Sequence, residues 1–297
     1  MPKFKFATMM LIPTMFLSAQ TTPALKPAAP QSAAMTVQHI GGGLYFVKGG
    51  SGANTAFYIG GKDVILIDGK MTAEAAKQIL AEVGKLTTKP ITEMIITHSD
   101  GDHINGLIGF PKTIKLFASE NTRTEMAEAF KDEKMAAYRE YPFGGTYRGQ
   151  FDFHTAGGEV FPLMQLGPAH TSGDTIIIFP KEKAAFVGDL AFIGRDPLIH
   201  RAKGGTSVGY LAALKTMLGL DVDTYLSGHA DPLTKADLQT LSTTLEDKAA
   251  KVKALIAEGK TLDEIKAAFG LAPAAGGQPA RWPSFIEIVY LELTEKK

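Results

Sequence analysis

Six consecutive residues constrain this chain more than any others: His98-Ser99-Asp100-Gly101-Asp102-His103. Four of the six can bind a metal ion. They follow directly on the apolar run Ile91–Thr97, which reads as a strand. Gly101 permits the tight backbone that turns several side chains the same way. A packed core gives no reason to place this much charge at a strand end. A solvated acidic turn would account for the aspartates, but not for two histidines bracketing them.

Three further positions repeat the theme. His170 lies in Leu166-Gly167-Pro168-Ala169-His170-Thr171-Ser172-Gly173-Asp174-Thr175, between two apolar runs. Asp189 ends the run Ala184–Val187, and His229 follows Ser227-Gly228 after another run. Each alone would pass as structural. Together, at strand ends beside glycine, they supply enough donors for two divalent ions. The chain has no cysteine, so a metal site here must be built from His and carboxylates.

The surrounding pattern is layered α/β. Strands are predicted at Gly43–Val47, Thr55–Ile59, Val64–Ile67, Ile91–Thr97, Ile114–Ala118, Phe151–Thr155, Val160–Leu166, Thr175–Phe179, Ala184–Val187 and Thr224–Leu226. Helical periodicity covers Thr72–Val83, Asn121–Arg139, Ser207–Leu218, Lys235–Glu258 and Thr261–Phe269, and a last apolar segment spans Phe285–Leu293. The Gly-, Tyr- and Arg-rich stretch Tyr141–Gln150 has no period and reads as a mobile loop. Its Tyr141, Phe143, Tyr147 and Arg148 are candidates for a lid.

Lys3 and Lys5 precede the short apolar run Phe6–Leu17, then Ser18, Ala19 and a Pro/Ala-rich stretch. This is the layout of a secretory signal peptide over residues 1–19, cleaved between 19 and 24, with a linker over 20–35. The run is too short to span a membrane, so no stable anchor is expected. An exported protein, periplasmic or secreted, follows. Lys+Arg and Asp+Glu both number 31, so no bulk attraction to nucleic acid is implied and a small-molecule substrate is expected.

These residues resemble the metallo-β-lactamase superfamily from about Val37 to Pro232. Asp68-Gly69 matches its first motif, the His98–His103 run its H-x-H-x-D-H motif, and His170 its G-x-x-H-T motif. Asp189 matches the G-D motif and His229 the G-H motif. The resemblance implies a four-layer αββα sandwich, here over residues 36–233, with a helical C-terminal extension over 234–297. It also implies a two-metal site between the sheets. His98, Asp100 and His170 would hold one ion and Asp102, His103 and His229 the other, with Asp189 bridging. Zn²⁺, two per chain, is the expected cofactor, with Mn or Fe as alternatives. Asp68 is expected to support a ligand by hydrogen bonding.

The departure is Asp100, which stands where the family has its second His. Three carboxylates and a hydroxide together would cancel the charge of two divalent ions, leaving weaker Lewis acids. On ligand chemistry alone, Asp100→His should raise zinc affinity.

The expected activity is hydrolysis of an ester, lactone or related acyl substrate by a metal-bound hydroxide, with Asp102 orienting the water and relaying its proton. A β-lactam substrate is one alternative. An iron-containing oxygenase-type relative or a non-catalytic metal-binding protein is the other. Among the charged residues between Asp189 and His229 (Arg195, His200, Arg201, Lys203), Lys203 is the candidate for binding a substrate carboxylate. His39 and His154 are expected to pack or face solvent.

Overall fold

The apolar runs form two sheets because their Val, Ile and Phe side chains suit a pleated surface buried on both faces. The computed structural model describes Met1, residues 34–271 and residues 282–295. The signal-peptide expectation and most of the linker fall on residues outside those described.

The first sheet holds β1 (Thr36–Gly41), β2 (Leu44–Lys48), β3 (Thr55–Ile59), β4 (Val64–Ile67), β5 (Ile91–Ile95), β6 (Lys115–Ser119) and β7 (Phe143–Tyr147), in sequence order across the sheet. Pairing is antiparallel from β1 to β4 and parallel from β4 to β7. The second sheet contains β8 (Gln150–His154), β9 (Val160–Gln165), β10 (Thr175–Phe179), β11 (Ala184–Gly188), β12 (Thr224–Ser227) and β13 (Leu233–Thr234), in the order β13-β12-β11-β10-β9-β8. Only β11 and β12 pair in parallel there.

Three apolar layers hold the sandwich. Leu44, Phe46, Ile65, Ile95, Phe153, Phe179, Phe186 and Leu226 fill the space between the sheets. Helices α1 (Ala73–Leu86) and α3 (Glu120–Ala129) cover the outer face of the first sheet, contributing Ala76, Ile79, Val83 and Met126. Helices α4 (Ser207–Leu218), α5 (Lys235–Ala257), α6 (Leu262–Ala268) and α7 (Phe285–Thr294) cover the second. A short helix, α2 (Gly101–Ile104), opens within the His98–His103 run. Each large side chain buried in these layers contributes about 1.5–3 kcal/mol. Among the described residues, no helix is long and apolar enough to cross a membrane.

The four-layer α/β sandwich agrees with the sequence expectation; several local features do not. The segment read as a mobile loop contains strand β7. Its Gly144 and Gly145 lie against the Phe117 ring, where a Cβ on either would clash. Glycine serves close packing there rather than mobility. Tyr141 is buried, its hydroxyl donating to the carbonyl of Phe110 at 2.8 Å, and Tyr147 donates to Thr175 Oγ1 at 3.1 Å. Neither tyrosine is free to act as a lid.

The helix expected from Asn121 to Arg139 breaks in two. Asp132 caps the second piece by accepting from Lys134 N–H at 2.9 Å, and Arg139 Nε donates to the carbonyl of Phe130 at 2.7 Å. The break lets Phe130 and Tyr138 stack at 5.2 Å. Strand β1, an exposed edge strand, has no counterpart in the sequence reading. His39 and His154 are both largely exposed.

Candidate metal centre

Most chemistry-bearing residues sit in loops at strand ends, with Asp102 and His103 in the short helix α2 just beyond β5. Asp68 follows β4, His98 and Asp100 follow β5, Asp189 follows β11 and His229 follows β12. His170 lies in the loop entering β10. Open sheets collect ligands at the carboxyl ends of parallel strands for this reason: side chains from several strands converge there. The backbone is specialised to match. Gly188 has φ 52°, and a Cβ on it would press on Thr97. Gly228 lies against both Asp189 Oδ1 and His103 Cε1, leaving no room for a side chain.

Three imidazoles are held in one tautomer by their outer nitrogens. His103 Nδ1 lies 2.7 Å from Asp68 Oδ2, an acceptor, so it carries the proton. His170 Nδ1 lies 2.7 Å from the carbonyl of Leu198, again an acceptor. His98 Nδ1 lies 2.9 Å from Thr97 Oγ1, whose own proton goes to Asp68 Oδ2 at 2.8 Å. In each ring the Nε2 lone pair therefore points inward.

Those lone pairs meet carboxylate oxygens. His170 Nε2 is 3.1 Å from Asp100 Oδ2, His103 Nε2 is 3.1 Å from Asp189 Oδ1, and His229 Nε2 is 3.1 Å from Asp189 Oδ2 and 3.2 Å from Asp102 Oδ2. His98 Nε2 lies 3.9 Å from Asp189 Oδ2 and 4.0 Å from Asp100 Oδ2. His98 Nε2, His103 Nε2 and Asp189 Oδ1 are buried without a hydrogen-bond partner. Acceptors facing acceptors in a dry pocket repel unless a cation lies among them. The donor set fits divalent metal. His98, Asp100 and His170 form one group of converging atoms, Asp102, His103 and His229 a second, and Asp189 joins His98 and His103 in a third.

In the metal-free chain, protons balance this charge. Burial disfavours a charged His170, but the bond it donates to Asp100 and the field of Asp189 push it up to about 9. His229 also goes up to about 9, against burial, through Asp102 and Asp189. Burial would raise the Asp189 carboxyl, yet His103 and His229 hold it well below the ordinary range. Burial, then His103 and His170, keep His98 well below the usual imidazole value.

The centre opens into a cleft of about 530 Å³, walled in part by Met71, Phe192, Arg195, Leu198 and Trp282. Arg195 lies over the Phe192 ring, 4.4 Å from its centre. Arg201 instead pairs with Glu295 on the surface. Lys203, expected to meet a substrate carboxylate, is directed elsewhere. Its ammonium donates to Asp100 Oδ1 at 2.7 Å, Ser99 Oγ at 2.8 Å and the Ser99 carbonyl at 3.1 Å. That uses all three of its hydrogens.

Sequence reasoning passed over Asp174, buried and accepting from the Thr171 N–H at 2.8 Å and hydroxyl at 2.7 Å. It holds the His170 loop closed. The Thr171-x-x-Asp174 spacing was the available signal. Trp282, stacked on His200 at 4.3 Å, had none.

The family model for the metallo-β-lactamase superfamily matches residues 49–229. The chain belongs to that superfamily. Among curated relatives it is 26% identical over 207 residues to the 2,4-dinitroanisole O-demethylase subunit alpha of Nocardioides sp., covering 69% of this chain and 60% of that one. It is 26% identical over 153 residues to the metallo-beta-lactamase type 2 of Elizabethkingia meningoseptica, covering 48% of this chain and 57% of that one. The chain thus spans less than two thirds of these relatives. Among solved structures it is similar to the sec-alkylsulfatase Pisa1 from Pseudomonas sp., with TM-score 0.71 and 16% identity over 88% of this chain and 50% of that one. It is also similar to a metallo-beta-lactamase from Pontibacter korlensis, with TM-score 0.59 and 16% identity over 71% of this chain and 98% of that one.

Proposed function

We propose that this protein is a metal-dependent hydrolase that binds two divalent ions, zinc first among them, and cleaves an ester, lactone or related acyl substrate. The observation that carries the reading is the inward aim of the buried Nε2 atoms of His98 and His103 and of Asp189 Oδ1, none satisfied by a hydrogen bond within the described residues. Bound there, divalent ions supply Lewis acidity and a water acidic enough to act as a nucleophile near neutral pH.

The chain's own residues do the rest. Asp68 and the carbonyl of Leu198 hold the His103 and His170 rings in the ligating tautomer. Asp102 is half-buried, with Oδ2 turned toward His229, where it can orient a water and take up its proton. Phe192, Leu198 and Trp282 give the cleft an apolar wall that excludes water from a bound acyl group. A β-lactam is the second substrate class, favoured by the Gly167–Thr171 segment and its match within the family region. The same reading takes the protein as exported, supported by its N-terminal pattern of Lys3, Lys5 and a short apolar run.

The test is elemental analysis of protein purified without chelators, beside turnover of chromogenic esters, lactones, β-lactams, secondary alkyl sulfates and aryl methyl ethers. About two zinc per chain and chelator-sensitive cleavage of an ester or lactone are expected. Cleavage of β-lactams alone would favour the second class. Iron without turnover of any of these, or no metal at all, would overturn the hydrolase reading.

A further inference from the structure

The two oxygens of Asp100 face opposite ways. Oδ2 looks into the centre, 3.1 Å from His170 Nε2. Oδ1 looks outward, 2.7 Å from Lys203 Nζ and 3.3 Å from His200 Nδ1. The aspartate side chain is 10% exposed and the lysine 31%, so the pair is shielded well beyond a surface ion pair.

Lys203 is held there by a directed chain of bonds. Glu125 accepts from Ser99 Oγ at 2.5 Å and from Ser172 Oγ at 2.6 Å. Ser99 thereby spends its one hydroxyl proton on Glu125, so toward Lys203 it can only accept. The turn bearing Lys203 is also fixed. It ends at Gly204 in the left-handed conformation, φ 76°. Around it, His200 N–H donates to the His170 carbonyl at 2.8 Å and Thr206 N–H to the Ala169 carbonyl at 2.9 Å. Lys203 is thus pinned to the loop that carries ligand His170.

We propose that Lys203 is the charge partner that lets an aspartate stand in for a neutral imidazole, the Asp100–Lys203 pair presenting one inward oxygen as a net-neutral ligand. This rests on the reading that the centre holds divalent ions. Counted alone, Asp100 cancels the surplus positive charge of a two-metal centre. Counted with Lys203, the surplus returns. The consequence reverses the expectation drawn from ligand chemistry alone. Asp100→His would leave a lysine cation uncompensated beside the metals and should weaken zinc binding.

Zinc dissociation constants of the full chain, measured by competition with a chromophoric chelator, test this across wild type, Asp100→His, Lys203→Met and the double variant. Asp100→His should bind the weaker-held zinc about 10- to 100-fold less tightly, as a nearby like charge at intermediate dielectric dictates. The double variant should return to within about threefold of wild type, because the second change removes the stranded charge. Lys203→Met alone should bind zinc at least as tightly as wild type, and Lys203→Arg should match wild type. Asp100→His binding as tightly as wild type, or a double variant that binds zinc no better than Asp100→His, would overturn the pairing. If Asp100→His does not fold, Lys203→Met decides: loosened zinc at an unchanged melting temperature overturns the proposal, and equal or tighter zinc supports it. Wild type that binds no zinc would sink the metal reading itself, an outcome distinct from tight zinc in Asp100→His.

Discussion

Asp68 Oδ2 accepts from His103 Nδ1 at 2.7 Å and from Thr97 Oγ1 at 2.8 Å, while its Oδ1 accepts from the Thr97 backbone N–H at 2.8 Å. One buried carboxylate therefore sets His103 directly, and sets His98 through the Thr97 hydroxyl. Its backbone is adapted to the task, with φ at 61°. A group placed this way orients the candidate metal ligands without being one of them.

Asp68→Asn tests that control. The amide is nearly isosteric but lacks the charge, and it can turn a donor toward His103 Nδ1, disfavouring the tautomer that aims Nε2 inward. Zinc affinity should fall about 10- to 100-fold, with turnover at saturating zinc reduced less. Equilibrium zinc titration with the same chelator reads this directly. Unchanged affinity would mean that packing alone holds His103.

Protons and metal compete for the same side chains, which predicts opposite pH dependences with and without metal. Burial opposes charge on His170 and His229, but Asp100, Asp102 and Asp189 push both up to about 9. Their folded values lie above the unfolded value of about 6.5. The stability they contribute is thus complete below about 6.5 and drains away as pH rises toward 9. Chelator-treated protein should lose melting temperature between pH 6.5 and 8. Above that, Lys70, which burial pushes down to about 8, sheds its proton and offsets the loss. With excess zinc the slope should reverse, since neutral imidazoles bind metal better. Thermal melts in the two conditions check the signs. A chelated protein that gains stability over the same window would contradict this balance.

Gly228→Ala probes the close approach of backbone to site. A methyl there would crowd Asp189 Oδ1 and His103 Cε1. The carboxylate and ring must shift, at a cost of about 1–3 kcal/mol in folding stability. Metal content should fall with it, because both displaced groups are candidate ligands. Denaturant melts and elemental analysis, run on the same preparation, would show the two losses together. A variant with full metal content would mean that the site yields more easily than its packing suggests.

Much of the candidate centre was legible in the sequence because its chemistry is local. His98 to His103 lie in one run, Asp189 and His229 each follow a glycine at a strand end, and His170 lies in the short loop between two apolar runs. The strands were legible for a related reason: burial on both faces demands unbroken apolar runs such as Val64–Ile67 and Ala184–Val187. Where glycine had two meanings, the reading failed. Gly144 and Gly145 looked like a loop, yet they form β7 because Phe117 needs the space a side chain would take.

By itself, then, the sequence determined the superfamily, most of the strands and helices in their order, and a set of side chains whose chemistry suits metal. Each of these follows from residue type and short-range spacing. Only the tertiary structure decided which charges meet. It brought Lys203 onto Asp100, 103 residues away in the chain, and Glu125 onto Ser99 and Ser172. Such pairings depend on how separate loops are pinned by backbone hydrogen bonds, here between the His200–Thr206 turn and the Ala169–His170 backbone. No local pattern records that geometry, because a lysine beside two glycines reads the same whether its ammonium meets water, a substrate or a buried carboxylate.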